Sequence, residues 1–171
     1  MSTQPLQVAL VPFSKDHVAQ TFRWVSDPDL RRTFLIRGVP TWEGHLAYSD
    51  RVLADSSQKV FAILAAGQHV GNCGFKHLEP AAKRGEQWLY VGDRSWRGRG
   101  VGKAAAEVLL QEGFQALGLE LIYLHVADFN EPARRLYERL GFVEVPLQDP
   151  SGEWQIRGFR MIRMELRKPR L

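Results

Sequence analysis

The sequence predicts a mixed α/β fold in a single domain, residues 1–171. Along the chain, segments with the two-residue alternation of strands take turns with segments of helical period. A glycine-rich basic turn, Arg97-Gly98-Arg99-Gly100-Val101-Gly102-Lys103, joins an apolar strand-like run, residues 88–91, to a long helical pattern. With 44% hydrophobic and 25% charged residues, 171 residues suffice for one substantial core and are too few for two comfortable domains.

Residues 7–11 read as a first strand closed by Pro12, and Ser14 is placed to cap a helix running to Trp24. Asp27-Pro28 starts a second short helix, with the aspartate as cap, proline at the first helical position, and Leu30 and Phe34 at i and i+4. Thr41 opens a third, to about Ala54. Residues 59–64 and 69–75 are strand-like and join at Ala66-Gly67-Gln68 as a hairpin. A further strand covers 87–92. After the glycine turn a helix runs to about Leu117, with Val101, Ala105, Val108 and Leu109 on a broad apolar face, and Gly118 ends it. Residues 121–126 form a strong strand. Asn130 or Glu131 opens a last helix that stops at Leu140-Gly141, and 142–145 and 154–166 read as two closing strands. No internal repeat, low-complexity tract or linker interrupts the pattern.

The net charge of +4 is mildly basic, but the cations are dispersed except at Arg31-Arg32 and in the tail from Arg167 to Arg170. That favours a small anionic ligand over a nucleic-acid groove. A lone cysteine, Cys73, excludes an internal disulfide and a cysteine zinc cluster, and its apolar neighbours point to a buried thiol. No histidine or acidic pair has metal-ligand spacing, so no metal is expected. No basic segment followed by an apolar core opens the chain, and no apolar run approaches the ~20 residues of a membrane span. The expectation is a cytoplasmic protein without a membrane partner.

A turn such as residues 97–103 suits a diphosphate. Glycines let the backbone approach and aim several N–H groups one way, the following helix adds its positive end, and two arginines and a lysine supply charge. A nucleotide-binding P-loop needs a glycine where Arg97 stands and a hydroxyl where Ala104 follows Lys103. The dinucleotide fingerprint is formally met by Gly100, Gly102 and Ala105. It belongs, however, to a first strand-helix-strand unit with an acidic residue after the next strand, whereas this turn follows four strands and Glu120 precedes the next one.

Arg97-x-x-Gly100-x-Gly102, followed at a helix-strand interval by Asn130-x-x-Ala133-x-x-Leu136-Tyr137-x-x-x-Gly141-Phe142, resembles the acetyl-coenzyme A motif of GNAT N-acetyltransferases. The resemblance is strong over residues 87–142 and holds in outline elsewhere. Pro132, just after the asparagine, departs from the pattern but is tolerated in a first helical turn. The resemblance implies a central, mostly antiparallel mixed sheet of about six or seven strands, flanked by helices on both faces and splayed at the cofactor site. It implies acetyl-coenzyme A as co-substrate, its pantetheine arm between strands 87–92 and 121–126. The backbone near Val91 would polarise the thioester, and the amides of Arg99, Gly100, Val101 and Gly102 would hold the diphosphate, with Arg97 and Lys103 as auxiliary charge. Asn130 and Tyr137 are seven residues apart, nearly one face of a helix about 10.5 Å along its axis. By resemblance Asn130 would bond pantetheine and the Tyr137 hydroxyl would protonate the departing thiolate. A phenol of ordinary pKa near ~10 holds its proton at neutral pH. Read without the glycine turn, Asn130 is only a cap and Tyr137 a half-buried aromatic.

The acceptor amine must lose a proton, and Glu86 occupies the position of the family's acidic residue, with His77 and Glu79 as fallbacks; His17, His69 and His125 read as structural. Residues 24–32 with 41–46 resemble the front half of enzymes that acetylate amino sugars on nucleotide carriers, which would give Arg31, Arg32 and His45 a nucleotide diphosphate to bind. They resemble more loosely enzymes acting on ribosomal-protein N-termini. The favoured acceptor is a small amine such as an amino-sugar nucleotide; the alternatives are a protein N-terminus and a non-catalytic acyl-coenzyme A binder. Exposed closing strands leave pairing into a homodimer open.

Overall fold

The computed structural model describes residues 5–149 and 158–170. Seven strands among them form one sheet: β1 Val8–Pro12, β2 Lys59–Ala65, β3 Gln68–Glu79, β4 Arg84–Val91, β5 Leu121–Ala127, β6 Val143–Val145 and β7 Met161–Arg167. Their order is β1-β2-β3-β4-β5-β7-β6, and every neighbouring pair is antiparallel except the central β4 and β5. Five α-helices flank the sheet: α1 Val18–Val25, α2 Pro28–Thr33, α3 Trp42–Ala54, α4 Val101–Gln111 and α5 Glu131–Arg139. No described helix is long and apolar enough to cross a membrane.

The elements form where local chemistry favours them. The Asp27 carboxylate accepts from the Asp29 N–H and the Thr41 hydroxyl from the Gly44 N–H, so α2 and α3 begin at capped ends. The first helix differs from expectation: Ser14 precedes a 3₁₀ turn, Lys15–His17, because the His17 ring accepts from the Ser14 N–H at 3.0 Å. Past Gln111, α4 loosens into a π-helical turn, Glu112–Ala116. β4 starts three residues before the expected strand, and the first part of the expected strand 154–166 lies outside the described residues.

Alternation along the strands sorts side chains into two layers. On one face Cys73, Phe75, Ile122, Leu124 and Val126 pack beneath Val101, Ala105 and Leu109 of α4 and Tyr137 of α5, forming the main core. On the other, Trp88 and Tyr90 of β4 meet Trp24, Leu30 and Phe34 from α1, α2 and the residue after it. β4 therefore offers Gln87, Leu89 and Val91 to one helical layer and Glu86, Trp88 and Tyr90 to the other.

Gly92 ends β4 against the Trp24 ring. A Cβ there would sit 2.1 Å from Trp24 Cδ2, a clash that a ring wedged between sheet and helix cannot relieve cheaply. Gly92→Ala is expected to cost about 2–3 kcal/mol in urea denaturation, as overpacking does. Gly67→Ala meets no neighbour, its cost coming only from a φ of +78°, and should lose about 1 kcal/mol.

Candidate active site

The central feature is a fork. β4 and β5 pair at Arg84–Leu121, Gly85–Ile122 and Glu86–Tyr123 and then part. Each stays bonded to its other neighbour, β4 to β3 as far as Val91 and β5 to β7 along its whole length. The Gly92 N–H donates to Val70 at 2.9 Å, which fixes the phase of the β3–β4 ladder. By the alternation of an antiparallel ladder, the N–H groups of Leu89 and Val91, past the last β4–β5 pair, then point away from β3 into the fork.

The glycine turn lies beyond the β4 end of the fork. Gly98 and Gly100 have φ of +71° and +83°, a region in which side-chain-bearing residues are strained. Gly100 is the N-cap of α4 with no side chain to cap it, and the first intrahelical bond there runs from the Ala104 N–H to Gly100. The N–H groups of Val101, Gly102 and Lys103 are thus left without helical acceptors, at the positive end of the helix. A Cβ at Gly98 or Gly100 would meet nothing, and one at Gly102 nothing nearer than 3.9 Å, so the cradle is open. These amides fit a diphosphate. Arg97 is engaged locally, donating to the carbonyls of Val91 at 2.9 Å and Gly92 at 3.3 Å, which ties the turn to the end of β4. Arg99 stacks over Trp96, and exposed Lys103 lies 4.0 Å from Glu107.

At the β5 end, Asn130 is the N-cap residue of α5, but its side chain makes no capping bond and is left available. Tyr137 is buried against Phe142. Burial raises its phenol well above the usual value, the Cys73 thiol adds to the rise and Gln87 opposes it, so the hydroxyl keeps its proton at neutral pH. Gln87 is the first residue of β4 past the last β4–β5 pair. Its carboxamide is buried with neither Nε2 nor Oε1 reaching hydrogen-bond geometry.

Glu86 stands on the opposite face. Its side chain is only 7% exposed, yet its oxygens meet His125 Nδ1 at 2.8 Å, His77 Nδ1 at 2.8 Å and Lys76 Nζ at 3.7 Å. Burial alone would raise the carboxyl; the His125 hydrogen bond, the Lys76 charge and His77 outweigh it and hold the group at about 2. Simple alternation would place His77 on the other face from Lys76 and Glu86. A bulge between Lys76 and Glu79, with His77 at φ +51°, is where it is turned back onto Glu86. The contact between His125 and Glu86, 39 positions apart, left no signal in the sequence.

The three residues expected to bind a nucleotide diphosphate do not share one cavity. His45 lines a cavity of about 430 Å³ between the sheet and α1 and α3, and its Nε2 contacts the Val18 carbonyl at 3.2 Å. Burial lowers its pKa against the effect of that bond, so it is a neutral ring and not a phosphate-binding cation. Arg31 and Arg32 line a second cavity of about 410 Å³ with Phe129 and Phe159. The two cavities share Ile36.

Residues 7–143 match the family model of the acetyltransferase (GNAT) domain, and the chain belongs to that family. Among curated relatives, spermidine N(1)-acetyltransferase of Escherichia coli K12 is 28% identical over 93 residues, covering 54% of this chain and 50% of that one. The chain thus spans about half the length of that relative. The α/β-tubulin N-acetyltransferase 9 of Homo sapiens is 26% identical over 155 residues, covering 81% and 73%. Among solved structures, spermidine N-acetyltransferase from Vibrio cholerae in complex with CoA and spermine superposes with a TM-score of 0.83 at 18% identity, over 94% of this chain and 95% of that one. That likeness establishes the fold.

A carboxyl held at about 2, against an ordinary 4.5, stabilises the fold by up to about 3 kcal/mol; this is present in full above pH 4.5 and lost as pH falls toward 2. In urea titrations the stability gap between the wild type and Glu86→Gln should narrow as pH falls below 4.5 and the carboxyl takes up its proton. A gap that does not change down to pH 3 contradicts the assignment.

Proposed function

We propose that this protein is an acetyl-coenzyme A-dependent N-acetyltransferase that acts on a small primary amine. The observation that carries the reading is the parting of β4 and β5 past Glu86 and Tyr123, which opens a row of strand amides beside an uncapped helix start. Bound acetyl-coenzyme A supplies the acetyl thioester. Val101, Gly102 and Lys103 hold the diphosphate through their backbone N–H groups, joined by Arg99 and Gly100 at the turn. The N–H groups of Leu89 and Val91 and the free carboxamide of Asn130 hold the pantetheine arm, the Val91 amide being aimed where a carbonyl is polarised. Arg97 keeps the turn in place. Tyr137 holds a proton at its phenol oxygen, ready for the departing thiolate.

For the acceptor, the cavity walls favour a compact, partly apolar amine that carries an anionic group, as an amino-sugar nucleotide does. Phe13, Phe34, Tyr48, Trp88 and Tyr90 line the first cavity, and among the described residues no carboxylate does, while Lys76 contributes a cation. Through Ile36 it adjoins Arg31 and Arg32, and Arg31 Nε is buried without a partner, a donor left for an anion. A polyamine, the acceptor named for the bacterial relatives, brings several ammonium groups to a wall where the described residues offer no opposing charge. It is the second reading, supported by those relatives.

Three measurements test this. Tyr137→Phe should leave acetyl-coenzyme A binding within about twofold and lower turnover ~10² to 10⁴-fold; unchanged turnover removes Tyr137 as the acid. Gly102→Val should still fold, since a Cβ there only reaches van der Waals contact with Leu136 and Leu89 at 3.9 and 4.0 Å, yet lose the thermal-shift response to coenzyme A. In a mass-spectrometric amine screen, an amino-sugar nucleotide should exceed spermidine and an N-terminal peptide at least tenfold in kcat/KM. Preference for spermidine would instead establish the polyamine reading. A protein that binds coenzyme A and acetylates nothing is a non-catalytic acyl-coenzyme A module.

A further inference from the structure

We propose that His125, positioned by Glu86, is the group that takes the proton from the acceptor's ammonium, through its free Nε2; the catalytic role rests on the transferase reading above. Glu86 offers each of its oxygens to a different imidazole, His125 Nδ1 on one and His77 Nδ1 on the other, both at 2.8 Å. The carboxyl is held so low that it is ionised throughout the neutral range, and an ionised carboxylate only accepts. Both Nδ1 atoms must therefore carry hydrogen. The tautomer is fixed by the hydrogen bond, and the basic lone pair of each neutral ring stands at Nε2. Glu86 is thus a positioning residue whose low pKa makes it a weak proton acceptor itself.

Of the two rings, His125 has the place. It lies on β5, one of the two strands of the fork, two residues past the last β4–β5 pair, and its side chain is 21% exposed. Its Nε2 has no partner among the described residues, whereas His77, at 64% exposure on the far side of Glu86, faces solvent. The groups around His125 are Glu86 from β4, with Lys76 and His77 behind it on β3, Tyr123 on its own strand with ring centroids 5.9 Å apart, and Arg163 opposite it on β7. Arg163 stacks on Tyr123 and pairs with Glu165, so its charge is partly compensated. In the step, an N–H bond of the ammonium breaks and its electron pair stays on the amine. The proton bonds to Nε2 directly or through one water, and the imidazolium that forms faces the Glu86 carboxylate until the proton leaves to solvent.

The tautomer is tested without any turnover. Long-range ¹H–¹⁵N spectra of the ligand-free protein should show neutral His125 with hydrogen on Nδ1 and a bare Nε2. Hydrogen on Nε2 overturns the proposal. In steady-state assays His125→Gln should retain coenzyme A binding, lower kcat ~10² to 10³-fold at pH 7, and abolish the rising limb of kcat/KM against pH. A His125→Gln enzyme that keeps the limb and most of its kcat shows that another group takes the proton. A wild-type protein with the expected tautomer and no activity toward any amine overturns the functional reading, and the catalytic role with it.

Discussion

The site depends on the short pairing of the two parallel strands. β4 is held by β3 as far as Val91 and β5 by β7 throughout, so each strand follows the twist of its antiparallel partner and the two diverge past Glu86 and Tyr123. A sheet whose centre opens leaves backbone amides unpaired at its core, a liability unless something pairs with them. The same divergence leads from β4 into the glycine turn and from β5 into α5. The uncapped start of α4 and the free carboxamide of Asn130 thus belong to the two strands of one opening.

The sheet also separates the two groups proposed to handle protons. Tyr137 comes from the layer of α4 and α5, and Glu86 with His125 from the face covered by α1, α2 and α3. An intact sheet would keep them apart; the fork is where both sides meet. Burial acts on them in contrast. It keeps Tyr137 protonated because little opposes it, whereas at Glu86 it is overcome by two imidazoles and a lysine. A protonated phenol and a fixed anion arise from residues whose exposure is nearly the same.

Much of this could be read in the sequence, for local reasons. The glycine turn needs particular residues at adjacent positions, and Asn130 and Tyr137 are related by helical period, so both signals survive in one dimension. Strand boundaries were less visible: β4 begins at Arg84, where charged residues hide a strand end that β3 and β5 fix by pairing. The layout of the acceptor region was less legible, because Arg31, Arg32 and His45 are grouped only by resemblance in the sequence, whereas packing puts His45 against Val18 and Arg32 over Phe129. The link from Glu86 to His125 and His77 was not legible. One partner is on a strand met only through the parallel crossover, and the other reaches Glu86 at a left-handed residue in a bulge.

The most direct test of the account is residue-resolved amide hydrogen exchange with and without coenzyme A. The fork should take the pantetheine arm as an added strand, so the amides of Leu89 and Val91, open in the free protein, and those of Val101 to Lys103 should become at least tenfold better protected, with little change at Tyr90, which already bonds to β3. Saturating coenzyme A that leaves Leu89 and Val91 exchanging as before would contradict it.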